Sequence, residues 1–163
     1  KGAAFTIYLP ALSLVAPERA LTALPTGLAS GAGQRILVVE DDPALQRTLA
    51  ELLELWNYRV ATAANGRAAL ALLEQTGEPF DLILSDVVMP EMSGLALFRA
   101  LRQHQAPTPM VLMTGHPMVD ELEHLRAIGL QAWLPKPPDA EQLAETIDRA
   151  LKQGRKEGGR LGD

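Results

Sequence analysis

Arg35-Ile36-Leu37-Val38-Val39-Glu40-Asp41-Asp42-Pro43 is the stretch that decides the fold. Ile36–Val39 is a short, unbroken apolar run, which suits a strand covered on both faces. Three acids follow, and Asp42-Pro43 joins a helix N-cap to the one helical position where proline sits comfortably. Leu45, Leu49, Leu52, Leu53 and Trp56 then recur at helical spacing. One strand therefore passes through an acidic turn straight into one amphipathic helix.

The same alternation repeats downstream. Tyr58–Ala63 predicts a second strand, and Asn65-Gly66 opens a helix through Ala68, Leu70, Leu72 and Leu73 that closes at Gly77. Phe80–Asp86 predicts the third strand and Gly94–His104 the third helix. Met110–Thr114 predicts the fourth strand, and Met118–Ile128 a fourth helix stopped by Gly129 in the left-handed region. Ala132–Leu134 and Asp139–Lys152 complete the series, with Asp139 at the last cap. Strict alternation implies an α/β fold: a doubly wound, five-stranded parallel sheet of the flavodoxin-like (βα)5 kind.

What flanks this block is different in kind. Phe5–Leu9 is β-branched and aromatic and reads as one strand stopped by Pro10. Residues 11–33, rich in proline, glycine and alanine, read as a linker, and residues 153–163 as a flexible tail. The chain begins with Lys1, which we read as the start of a piece of a longer protein. A secretory signal fits poorly, because Pro10 interrupts the apolar stretch and one basic residue precedes it.

At 163 residues, the length allows one domain or one plus a fragment. The absence of cysteine excludes disulfide scaffolds, thiolate zinc sites and cysteine nucleophiles. Net charge is −5, unevenly spread: residues 35–151 carry 9 basic and 17 acidic side chains. Such an acidic block argues against nucleic-acid binding, which needs clustered Lys and Arg, and favours a cation or a basic partner surface. No apolar run approaches the roughly 18 residues needed to cross a bilayer.

In an open α/β sheet, ligands bind beyond the C-terminal ends of the strands. There the sequence places Glu40, Asp41 and Asp42 after strand one, Asp86 after strand three, Thr114 after strand four, and Lys136 after strand five. Asp42 is accounted for as a helix cap. Glu40, Asp41 and Asp86 would repel one another unless a cation sat among them, and a hard divalent ion such as Mg2+ suits carboxylates, water and a backbone carbonyl. Lys136 and Thr114 suit two oxygens of a phosphoryl group carried on a carboxylate. Together they describe chemistry through an aspartyl phosphate.

Glu40-Asp41, Asp86-Val87-Val88-Met89-Pro90-Glu91-Met92-Ser93-Gly94, Thr114-Gly115 and Lys136-Pro137 resemble, in order, the receiver domain of two-component response regulators over residues 34–152. The resemblance implies that Asp86 is the phosphoacceptor, that Asp41 holds Mg2+ (or Mn2+) directly and Glu40 through water, and that the Val88 carbonyl is a further ligand. Thr114 matches the switch hydroxyl and Lys136 the phosphate-binding lysine; Trp133 stands where the family usually has Tyr or Phe as an aromatic switch. Trp133 is read either as that switch or as a fixed core residue, and His116 as an ordinary loop histidine. Gly2-Ala3-Ala4-Phe5-Thr6-Ile7-Tyr8-Leu9-Pro10 is similar to the closing strand of a histidine-kinase ATP-binding domain, so residues 1–10 are expected to be its remnant.

Taken together, the two resemblances imply the C-terminal receiver of a hybrid sensor histidine kinase. Its expected partners are a phosphodonor domain in the same parent chain, a histidine phosphotransfer protein, and in some members a second copy of itself; its expected place is the cytoplasm. The receiver would catalyse its own phosphorylation and dephosphorylation, with the kinase core lying outside the fragment. Three rivals are a stand-alone response regulator, a docking-only receiver, and a haloacid-dehalogenase-like phosphatase. The last wants an acid two residues after its nucleophile, where this chain has Val88.

Overall fold

The computed structural model describes residues 31–103, 108–115 and 125–158. Among these described residues the main elements are, in order, β1 (Arg35–Val39), α1 (Pro43–Leu55), β2 (Arg59–Ala63), α2 (Gly66–Gln75), β3 (Leu82–Asp86), α3 (Gly94–Gln103), β4 (Met110–Thr114), β5 (Ala132–Pro135) and α4 (Ala140–Gly158). The expected strand at Phe5–Leu9, most of the linker, His104, His116 and residues 118–124 of the fourth expected helix lie outside the described residues. Residues 125–127 are helical, and Gly129 follows at φ +99°, the left-handed stop the sequence predicts.

The five strands among the described residues run parallel in the order β2-β1-β3-β4-β5, the flavodoxin-like arrangement. Alternation along each strand divides the core into two layers. Ile36 and Val38 face α1 and α4, packing with Leu49, Leu53, Leu143 and Ile147. Leu37 and Val39 face the other way, toward Ala69 of α2 and Leu97, Phe98 and Leu101 of α3. Each such leucine, taken fully out of water, contributes about 1.5–3 kcal/mol. The unbroken apolar runs of the central strands follow from this double coverage.

Caps fall where the sequence puts them. Asp42 Oδ1 accepts from the Ala44 and Leu45 amides at 2.8 and 3.2 Å, with Pro43 in the first turn of α1. Asp139 Oδ1 accepts from Glu141 and Gln142 at 2.9 and 3.2 Å and starts α4. Both acids therefore serve backbone amides that would otherwise be unpaired.

The larger departures from the expected boundaries are three. β3 starts at Leu82 rather than Phe80, because Phe80 turns into the α2–α3 layer and lies 4.4 Å beneath the Arg35 guanidinium. α4 does not end at Lys152 but runs to Gly158. Gly154 within it is a contact residue rather than a breaker: a Cβ there would lie 2.5 Å from Pro109 Cγ. At the other end, Gly31–Gly33 join the fold instead of the linker. The Gly31 amide donates to Trp56 O at 2.7 Å, Gly33 to Asn57 O at 3.0 Å, and Asn57 Nδ2 to Gly31 O at 2.8 Å.

Candidate functional site

Parallel strands deliver their last residues to one rim of the sheet. β1 ends beside β3, so Glu40 and Asp41 arrive next to Asp86; β4 and β5 bring Thr114 and Lys136 to the same edge. Carboxylate oxygens of Glu40, Asp41 and Asp86 lie within 4.8 Å of one another. Glu40 and Asp86 are buried, at 1% and 5% exposure, and Asp41 faces solvent. Thr114 is buried at the end of β4, and its carbonyl accepts from the Lys136 amide at 2.9 Å.

Lys136 crosses the rim to meet both buried acids. Its Nζ stands 2.8 Å from Asp86 Oδ2, 2.8 Å from Glu40 Oε2 and 3.0 Å from Glu40 Oε1. Nζ donates to Glu40 Oε1, and Glu40 Oε2 and Asp86 Oδ2 both lie at ion-pair distance from it. Burial pushes the Glu40 carboxyl above the ordinary carboxylate range, against the opposing pull of Lys136. For Lys136, burial acts to lower the ammonium, but the hydrogen bonds and charges of Asp86 and Glu40 outweigh it and hold the group above the usual lysine value.

The loop after β3 is shaped around the acid. The Val88 amide donates to Asp86 Oδ1 at 3.3 Å, while its side chain stands in solvent at 70% exposure. Gly94 begins α3 hard against Asp86: a Cβ there would lie 2.0 Å from the Asp86 carbonyl oxygen. No other residue type fits that approach. The Lys136–Pro137 peptide is cis.

Trp133 is half-buried against the α2–α3 layer, with the Arg126 guanidinium 4.1 Å over its ring. It pairs with Leu112 across β4–β5, two residues before Thr114, so both side chains leave the same face of the sheet. One supporting residue escaped the sequence reading. Gln46 Nε2 of α1 donates to Glu40 O at 2.8 Å and Ala63 O at 3.0 Å, tying the ends of β1 and β2 together. Its signal was a polar residue four past the Asp42 cap, which alone does not separate it from a solvated helix face.

Chemically, the rim offers three carboxylates as hard oxygen donors to a divalent cation. Such a donor set fits Mg2+. It also offers a half-buried ammonium and, at the same edge, a buried hydroxyl to a carboxylate that can act as a nucleophile.

A family profile described as the response regulator receiver domain matches residues 36–148. The chain belongs to that family. The receiver is similar to the sensor histidine kinase GacS of Pseudomonas protegens, 37% identical over 139 residues, which take in 82% of this chain and 15% of GacS. It is similar to the sensor kinase CckA of Brucella abortus, 33% identical over 94% of this chain and 17% of CckA. It is also similar to the transcriptional regulatory protein ZraR of Salmonella typhimurium, 36% identical over 77% of this chain and 28% of ZraR. The chain thus spans less than a third of the length of each of these relatives. Among solved structures, a CheY-like receiver domain protein from Methanospirillum hungatei matches with a TM-score of 0.69 and 29% identity, covering 77% of this chain and 99% of that one. CheY4 of Vibrio cholerae matches with a TM-score of 0.66 and 33% identity, covering 73% of this chain and 99% of that one. Among the described residues, no helix is long and apolar enough to cross a membrane.

Proposed function

We propose that this receiver takes a phosphoryl group from a phosphohistidine onto Asp86, with Mg2+ held at Glu40, Asp41, Asp86 and the Val88 carbonyl. The observation that carries the reading is the buried Asp86 with Glu40, Asp41 and Lys136 converging on it. Mg2+ supplies positive charge that offsets the carboxylates and the incoming phosphoryl oxygens. Asp86 is the nucleophile: one of its oxygens forms the new P–O bond as the P–N bond to the donor imidazole breaks. Lys136, already on Asp86 Oδ2, is placed to pair with a phosphoryl oxygen once the carboxylate becomes an acyl phosphate. The Thr114 hydroxyl takes a second oxygen, and its movement biases Trp133 on the same sheet face.

The donor we infer is a histidine-kinase domain of the same parent chain, acting in the cytoplasm, with a histidine phosphotransfer protein as onward acceptor. Two observations support the hybrid origin over a stand-alone regulator. Gly2–Pro10 is similar to the closing strand of a kinase ATP-binding domain, and the match to CckA takes in 94% of the chain, so it reaches well into the first 30 residues.

Incubation with Mg2+ and acetyl phosphate, followed by intact-mass measurement, tests the assignment. The wild type is expected to gain one acid-labile phosphoryl group and Asp86→Asn none. Equal labelling of the two proteins overturns it.

A further inference from the structure

The loop that carries Val88 is fastened at two ends, and the second fastening uses residues outside the site described above. At the near end, the Val87 amide donates to Met113 O at 2.9 Å and its carbonyl accepts from Gly94 at 3.1 Å. Met89 plugs into the α2–α3 layer while Val88 stays in solvent. At the far end, the Gly66 amide at the start of α2 donates to Met92 O at 3.0 Å. A Cβ on Gly66 would lie 2.6 Å from Met92 Cγ and 2.9 Å from Met92 O, so the two chains approach as closely as glycine allows.

Asn65, one residue earlier, works in two directions. Its Oδ1 accepts from the Ala68 amide at 2.9 Å and caps α2, while its Nδ2 donates to Glu91 Oε1 at 3.3 Å. Arg67 Nε adds a charge contact to Glu91 Oε2 at 3.6 Å. Glu91 itself sits at φ +61°, a region that residues bearing a Cβ leave unless their surroundings hold them. Asn and Asp cap helices about equally well. Only Asn has an amide donor to spend on Glu91, which explains the residue type.

We propose that Asn65 and Gly66 are positioning residues for phosphoryl transfer: they clamp the far end of the Val87–Met92 loop and so keep the Val88 carbonyl in place for the metal beside Asp86. The inference rests on the function proposed above. Neither residue touches the reacting atoms; both act through the loop.

Asn65→Asp is the informative variant, since it preserves the cap while removing the donor and setting a carboxylate against Glu91. The Mg2+ midpoint, followed as the rise in melting temperature, and the acetyl-phosphate labelling rate are the readouts. Asn65→Asp is expected to need about two- to threefold more Mg2+, the low end of the scale of one lost hydrogen bond because Glu91 stands in solvent. An added negative charge acting only at a distance would shift the midpoint the opposite way. Asn65→Asp with Glu91→Gln restores the hydrogen bond with its polarity reversed, and is expected to recover the midpoint. Asn65→Ser keeps a capping oxygen, removes the amide donor and changes no charge; it is expected to shift the midpoint in the same direction as Asn65→Asp, so the test survives if Asn65→Asp does not fold. An unchanged midpoint in Asn65→Ser, or a double variant no better than Asn65→Asp, overturns the clamp. A wild type that takes up neither Mg2+ nor phosphoryl overturns the functional reading and the clamp with it; a normal wild type beside indifferent variants overturns the clamp alone.

Discussion

Replacing Lys136 with Met keeps most of the side-chain volume and removes the cation from between two buried carboxylates. Glu40 is 1% exposed and Asp86 5% exposed, and Nζ is 2.8 Å from each. Breaking a buried pair by deleting one partner costs about 3–5 kcal/mol. The Lys136 side chain is 19% exposed, so water screens part of the loss and about 2–4 kcal/mol is the expected penalty. For a domain of this size, that lowers the melting temperature by roughly 5–15 °C. Two further signatures identify the cause as charge. Mg2+ should recover much of the loss, since it supplies positive charge to the same acids. Glu40 already sits above the ordinary carboxylate range through burial, and removing Lys136 raises it further. A raised carboxyl favours the folded state when protonated, so its contribution is present at low pH and is lost as pH rises through the folded-state value. The penalty should therefore be smaller near pH 5 than at pH 8. Thermal melts in EDTA and in Mg2+ at both pH values give the answer. A loss independent of Mg2+ and pH would show that Lys136 acts by packing, and the electrostatic account would fail.

Further outcomes follow from the same geometry. Asp41→Ala should lose most of the Mg2+-induced rise in melting temperature and Glu40→Ala a smaller part; an unchanged Mg2+ response in Asp41→Ala would remove Asp41 as a ligand. With Trp56→Phe leaving Trp133 as the sole indole, beryllofluoride and Mg2+ should change its emission and acrylamide quenching, and Thr114→Ala should suppress the change. Identical spectra despite bound beryllofluoride would make Trp133 structural, held between the core and Arg126. Tyr58 is buried and its phenol pushed upward, first by desolvation and then by Asp148. Its neutral form is favoured in the fold, so stability should fall as pH rises above about 10, and Tyr58→Phe should flatten that fall in denaturant midpoints between pH 9 and 11. Parallel curves for the two proteins would contradict it.

Elements whose cause is local were readable from the chain. Ile36–Val39 and Met110–Met113 are buried on both faces, which an unbroken apolar run satisfies. Asp42 and Asp139 announce their helices because a carboxylate before a helix answers unpaired amides. That the candidate site residues meet was also legible, since the parallel topology sends every strand end to one edge. What stayed hidden depends on distant partners. Gly154 looks like a stop until Pro109 is seen against it. Gly31–Gly33 have a linker's composition, yet their backbone groups pair with Trp56 and Asn57. That Lys136 bridges both Glu40 and Asp86, and that Asn65 reaches Glu91, are matters of side-chain direction that spacing does not encode.

The central claim is that Asp86 carries the phosphoryl group, and borohydride trapping tests it most directly. The receiver is mixed with Mg2+ and a histidine-kinase domain phosphorylated on its histidine. Reduction then converts an aspartyl phosphate to homoserine, and peptide mass mapping locates it. The account predicts homoserine at position 86, dependent on Mg2+ and absent when the donor is unphosphorylated. Homoserine at another carboxylate, or none at 86 while the donor loses its phosphate to this chain, would contradict it.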